Sequence, residues 1–104
     1  MKVIYVSGSY RGKDENEVFN NIIHARNVAV KLWHQGWACI CPHTNTMFMG
    51  SMMGDKMFLE GDLEILSRCD AIFMLRGFHS SRGATEEYEL AVRLNKDVYY
   101  EEEE

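Results

Sequence analysis

Two carboxylates stand where helical spacing calls for an apolar residue. Glu87 shares a helix face with Gly83, Leu90, Ala91 and Leu94, whereas Glu86 and Glu89 fall with Arg93 on the wet side. Asp62 repeats the pattern one helix earlier, in line with Phe58, Leu59, Ile65 and Leu66, while Lys56, Glu60, Glu64 and Ser67 make a solvent stripe. A carboxylate on an apolar stripe is costly unless it is paired, hydrogen-bonded or put to use. Either acid alone can lie at a helix edge or accept hydrogen bonds from loop amides; two of them, on helices flanking one strand, point to chemistry. Glu87 lies in the first turn or so of its helix, where the dipole favours the ionised form and so suits a nucleophile. Asp62, further from a helix start, suits a general acid if burial raises its pKa. Carboxyl groups divided this way can break a glycosidic bond, one attacking the anomeric carbon and the other protonating the leaving group.

A second constellation is built for an anion. Gly8-Ser9-Tyr10-Arg11-Gly12 lies between an apolar run and a helical pattern, so backbone N–H groups, the Ser9 hydroxyl and the Arg11 fork can hold a phosphate. It is neither a GxGxxG fingerprint nor a P-loop, and an ordinary strand-to-helix turn with an exposed arginine fits the same residues. Ser80-Ser81-Arg82-Gly83 offers a second phosphate contact before the third helix, with a plain N-cap at Ser81 as the alternative. His43, after Cys41-Pro42, is placed to contact a bound base or is a simple loop histidine. His79 is near enough to Ser81 to reach the site, whereas His24 and His34 belong on a helix surface. Met47, Phe48, Met52 and Met53 can wall a flat ring or pack on another subunit, and Asp70 reads as a turn residue.

The elements that must position these groups alternate strand and helix. Lys2 to Ser7 is a buried strand; Glu17 to Gln35 is a long helix, capped by Asn16 and ended by Gly36; Trp37 to Ile40 is a short strand closed by Pro42. Thr44 to Gly54 has no clean period and is expected as a loop. A helix from about Asp55 to Arg68, a strand from Ala71 to Met74, a polar loop from Arg76 to Gly83, a helix from Ala84 to Leu94 and a strand from Asp97 to Tyr100 follow. This pattern predicts a small Rossmann-like or flavodoxin-like α/β domain of three layers with a four- to five-stranded parallel sheet. Ligands in such folds sit at the carboxyl ends of the strands, here the loops after Val6, Ile40 and Met74.

Composition narrows the partners. The 104 residues, with a formal net charge of −5, allow one domain, expected over residues 1–100. Four of the acids are Glu101 to Glu104, read as a solvated tail; without them the body is nearly neutral, with 11 basic and 12 acidic residues. Neither balance suits a nonspecific nucleic-acid or membrane binder. Cys39, Cys41 and Cys69 have no metal-ligand or disulfide spacing and are expected reduced and buried. The N-terminal apolar run is too short for a signal peptide, and no stretch reaches a membrane span, so the expected location is the cytoplasm.

Together the residues resemble a known family. Ile4-Tyr5-Val6-Ser7-Gly8-Ser9-Tyr10-Arg11-Gly12, then Gly61-Asp62-Leu63 with Asp70-Ala71-Ile72 beyond it, then Ser81-Arg82-Gly83-Ala84-Thr85-Glu86-Glu87 with Lys96, are similar in order and spacing to the nucleoside 2-deoxyribosyltransferases. The Gly-Ser-x-Arg-Gly loop, and a serine rather than aspartate six residues before Glu87, look like the 2′-deoxynucleoside 5′-phosphate N-hydrolase branch. Tyr88-Glu89 departs from the apolar-Gly pair usual after the glutamate. The resemblance implies Glu87 as nucleophile at C1′, Asp62 as the acid assisting base departure, and Tyr5 as the aromatic orienting the nucleophile. It implies a 5′-phosphate cradle of Ser9, Arg11, Gly12 and Ser81, flanked by Gly8 and Gly83. It further implies no metal or organic cofactor, a small nucleotide or nucleoside as ligand, and a homodimer or higher homo-oligomer.

Overall fold

Period-two alternation in the first strand gives the sheet its two faces. In the computed structural model, which describes residues 1–47, 49 and 55–102, β1 runs Val3–Ser7 and is buried from Ile4 onward. Ile4 and Val6 face one side, packed with Ala25, Val28, Ala29 and Leu32 of helix α1 (Glu15–His34); Tyr5 faces the other, packed with Leu66, Ala84 and Ala91. Leu66 belongs to α3 (Asp55–Ser67), and Ala84 and Ala91 to α4 (Arg82–Arg93). Helices thus cover both faces of the sheet, a three-layer α/β arrangement of the expected class.

The strands β1, β2 (Ala38–Ile40), β3 (Ala71–Met74) and β4 (Asp97–Tyr100) form one all-parallel sheet in the order β2-β1-β3-β4. The chain moves from β1 to β2 on one side, then returns to β3 on the other. That reversal opens a crevice beyond the carboxyl ends of β1 and β3. A short α2 (Pro42–Asn45) follows β2, and a single 3₁₀ turn at Phe78–Ser80 lies between β3 and α4.

Several boundaries differ from expectation, each for a local reason. Asp14, not Asn16, caps α1, its carboxylate accepting the Glu17 N–H at 2.9 Å. Gly36 ends that helix as expected, at φ +98°, a conformation costly for any other residue. Trp37 stays outside β2 because its N–H closes the helix end on Leu32 O. Pro42 both closes β2 and opens α2, so Thr44 and Asn45 are helical. Ser81 caps α4, starting it two residues before Ala84. Leu94, expected on the buried stripe, is 43% exposed at the helix end.

Phe78 is buried within the loop expected to be polar. Phe48, Met52 and Met53 lie outside the described residues, while Met47 is half-buried in a turn after α2.

Long-range polar contacts fasten the elements at both ends of the sheet. Asp70 accepts the Val3 N–H at 2.8 Å, and Lys96 Nζ donates to Ser67 O at 2.8 Å, stopping the carbonyl end of α3. Glu101, expected in a solvated tail, instead continues the β3–β4 ladder through its N–H to Met74 O. Its carboxylate accepts the Arg76 N–H at 2.9 Å and meets His24 Nε2 at 2.9 Å and Arg76 Nη2 at 3.3 Å. These partners hold the Glu101 carboxyl below its usual range although burial opposes them. All three cysteines are free and buried, and burial pushes the Cys39 thiol up to about 12. Among the described residues, no helix is long and apolar enough to cross a membrane.

Candidate active site

Tyr5 and Ser7 are two residues apart on β1 and therefore project to the same face, beneath α4. That helix approaches the sheet closely because small Ala84 and Ala91 make the contact, 2% and 0% exposed. Glu87 lies between them along the helix and comes down onto both hydroxyls. Tyr5 Oη donates to Glu87 Oε2, and Ser7 Oγ donates to Glu87 Oε1 at 2.6 Å. Both donors are buried completely or nearly so, at 0% and 1% exposure.

Burial dominates the electrostatics. It raises the Glu87 carboxyl to about 7, with Asp62 and Glu86 adding to the rise and the bonds from Ser7 and Tyr5 opposing it. Asp62, half-buried on α3, is raised to about 6 by burial. The Tyr5 phenol is driven upward by burial and then by the two carboxyls. The dipole expectation for Glu87 is therefore corrected. With Ser81 as cap, Glu87 lies beyond the first turn, where the dipole has faded and desolvation decides.

Above the carboxylate lies a cleft of about 1010 Å³, bordered by Glu87, Asp62, His43, Ser81 and Gly83 and by the run Gly8, Ser9, Arg11 and Gly12. The expected acids, the glycine-loop residues, His43, Ser81 and Gly83 all meet there, and Tyr5 reaches it from below through Glu87. The glycine loop passes too close to its surroundings for side chains. A Cβ on Gly8 would lie 2.6 Å from Leu75 Cδ1, and one on Gly12 2.5 Å from Glu17 Cβ.

Three successive loop carbonyls are tied back by side chains. His43 Nε2 donates to Ser9 O at 3.0 Å, and Asn21 Nδ2 donates to Tyr10 O at 3.2 Å and Arg11 O at 3.3 Å. This fixes the loop from behind. His43, placed from sequence against a base, is thus committed through Nε2 to the loop; its buried Nδ1 has no hydrogen-bond partner among the described residues, and burial lowers its pKa.

Ser81 uses its hydroxyl oxygen as the cap of α4, accepting the Ala84 N–H at 3.2 Å, and keeps its own O–H to donate. Gly83 is in the first turn, where a Cβ would make only an ordinary contact, 3.5 Å from Leu59. Lys13, Arg76 and Arg82 join Arg11 along the cleft. His79 stacks on Phe78 at 3.9 Å between ring centres and does not border the cleft. Among the described residues, no three His, Cys, Asp or Glu side chains converge as a metal site.

Ser7 and Asn21 are the residues that sequence reasoning missed. Each carried a signal: Ser7 shares a strand face with Tyr5, and Asn21 falls on the apolar line from Val18 to Ala25, the same anomaly that marks Asp62 and Glu87.

A protein-family model, described as "Domain of unknown function (DUF4406)", matches residues 2–100. The chain belongs to the DUF4406 family. Comparison with curated proteins gives no match. Among solved structures, this DUF4406 chain is similar to a 2-deoxyribosyltransferase from the psychrotolerant bacterium Bacillus psychrosaccharolyticus, with TM-score 0.66 and 20% identity over 94% of this chain and 70% of that one. It is similar also to a 2-desoxiribosyltransferase from Leishmania mexicana, with TM-score 0.65 and 22% identity over 96% of this chain and 63% of that one. At these identities the likeness is one of fold. The DUF4406 domain shares the three-layer frame of those enzymes and is shorter than either chain.

Proposed function

We propose that this protein is an N-glycosidase-like enzyme that cleaves the base from 2′-deoxynucleoside 5′-monophosphates. The observation that carries the reading is the Glu87 carboxylate, gripped at both oxygens by Tyr5 and Ser7 at the floor of a cleft that Asp62 and the glycine loop also border. Glu87 attacks C1′ as the C1′–N bond breaks, and Asp62 gives its proton to the departing base. Asp62, now ionised, takes a proton from water. The hydroxide attacks C1′ and frees Glu87, giving deoxyribose 5-phosphate. The 5′-phosphate rests on the Gly8–Gly12 loop, with Arg11 and the Ser81 hydroxyl as donors. The enzyme works in the cytoplasm as a homodimer or larger assembly and needs no cofactor.

The alternative is deoxyribosyl transfer, in which a second base rather than water resolves the intermediate, the activity named for the two enzymes whose fold the chain shares. A third reading keeps the fold and the loop as a nucleotide-binding module without chemistry. Incubation with each deoxynucleotide, with and without a competing free base, separates them by chromatography. Free base with deoxyribose 5-phosphate means hydrolysis, and a new nucleotide means transfer. A nucleotide-induced rise in melting temperature, equal in wild type and Glu87→Ala and without product, means binding alone.

A further inference from the structure

We infer that Ser7 is a positioning residue that, paired with Tyr5 on one strand face, fixes the Glu87 carboxylate for attack and favours its ionised form. The inference rests on the proposed role of Glu87 and extends it to a residue that the resemblance did not mark. A serine 1% exposed, at the end of an inner strand, is an expensive choice where an apolar residue would pack, unless its hydroxyl is engaged. Here the main chain of Ser7 is already satisfied by the sheet and by the Leu75 N–H at 2.8 Å, and the hydroxyl hydrogen goes to Glu87 Oε1 at 2.6 Å.

A carboxylate held at one oxygen can still pivot about its last side-chain torsion. Held at both, by Tyr5 on Oε2 and Ser7 on Oε1, its plane is set. One oxygen must become the ester oxygen of the glycosyl intermediate while the other becomes its carbonyl and goes on accepting a hydrogen bond. A donor on each oxygen supports either choice.

The charge of Glu87 has few allies nearby. Asp62 from α3 and Glu86 from α4 both oppose its ionisation, and Tyr5 from β1 is a neutral donor. The cleft's cations, Arg11, Lys13, Arg76 and Arg82, belong to the loops and to the start of α4. Ser7 is thus one of two neutral donors that offset the cost of burying the charge.

The test is a titration of the Glu87 carboxyl by NMR on protein carrying ¹³C at the glutamate carboxyls, the signal assigned by its loss in Glu87→Gln. In Ser7→Ala it should titrate about one pH unit higher than in wild type, and in Ser7→Thr, which restores a donor, close to wild type. The alkaline limb of the kcat/KM profile on a deoxynucleoside monophosphate should move up by the same amount and the maximum should fall, because the form with Glu87 ionised and Asp62 protonated becomes rarer. Ser7→Cys, a weak donor of similar size, replaces Ser7→Ala should the alanine variant not fold. An unchanged Glu87 titration in the donor-deficient variant overturns the inference, whatever happens to the melting temperature. If wild type turns over no deoxynucleotide, the glycosidase reading fails by itself, and the titration still decides Ser7.

Discussion

Glu87 and Tyr5, 82 positions apart in the chain, are joined by a hydrogen bond from the Tyr5 hydroxyl to Glu87 Oε2. The bond crosses from the sheet to α4 and lies beneath the cleft rather than in it. A ligand entering from above meets a carboxylate whose back is already held. Removing the hydroxyl with Tyr5→Phe should lower kcat roughly 10- to 100-fold with a smaller change in KM, because the lost contact orients the proposed nucleophile without touching the ligand. Steady-state kinetics on a deoxynucleoside monophosphate checks this; a change confined to KM argues against it.

Glu87→Gln should abolish turnover while leaving nucleotide binding intact, measured by product formation and by calorimetry. The same variant should be more stable than wild type at alkaline pH. Folding raises the Glu87 pKa from 4.5 to about 7, so the native state holds the proton more tightly than the unfolded one. The associated stability is complete below pH 4.5 and is lost as pH rises through about 7. Glutamine has no charge to desolvate. At pH 8 its melting temperature should exceed that of wild type by roughly 5–10 °C, corresponding to about 1–2 kcal/mol, and the difference should vanish near pH 4.

The pH dependence of kcat/KM should be bell-shaped, with its maximum between about 6 and about 7, where the Asp62 and Glu87 pair carries one proton. The proposed attack by Glu87 requires the proton on Asp62. Because burial raises Glu87 further than Asp62, that form is the minor arrangement of the singly protonated pair. Asp62→Asn should remove the alkaline limb along with most of the rate, and a flat profile in wild type would count against the pair.

Gly8→Ala and Gly83→Ala should differ in sign. Alanine at Gly8 drives a Cβ to 2.7 Å from Leu75 Cβ, which is not a flexible side-chain tip, and should cost about 1–3 kcal/mol. Alanine at Gly83 meets only Leu59 Cδ2 at 3.5 Å and gains helix propensity, so it should be neutral or stabilising by up to about 1 kcal/mol. Thermal denaturation of the two variants decides.

Arg11→Ala should weaken 5′-monophosphates about tenfold or more while changing the matching nucleosides little, if the loop carries the phosphate. Comparing KM for the two substrate classes gives the answer.

Much of this could be read from the chain itself. Asp62 and Glu87 betray themselves by standing on apolar stripes, and the parallel order follows from strands too far apart in sequence for hairpins. What escaped belongs to groups whose role depends on a distant partner. Ser7 has meaning only once α4 is above it, and Glu101 only once the start of the loop after Met74 offers an N–H. The Glu87 pKa was misjudged for a related reason. Helix position is visible in sequence, but the depth to which the helix sinks onto the sheet, set by Ala84 and Ala91, is not.

The parallel sheet also dictates where added chain would emerge. All four strands point toward the cleft, so residues before β1 depart from the far edge, whereas residues after β4 depart beside the Arg76 and Glu101 contact, on the cleft's own rim. An affinity tag joined ahead of Met1 starts at the end of the sheet away from the cleft. One joined at the carboxyl end follows a strand that ends beside Arg76, on the rim of the cleft.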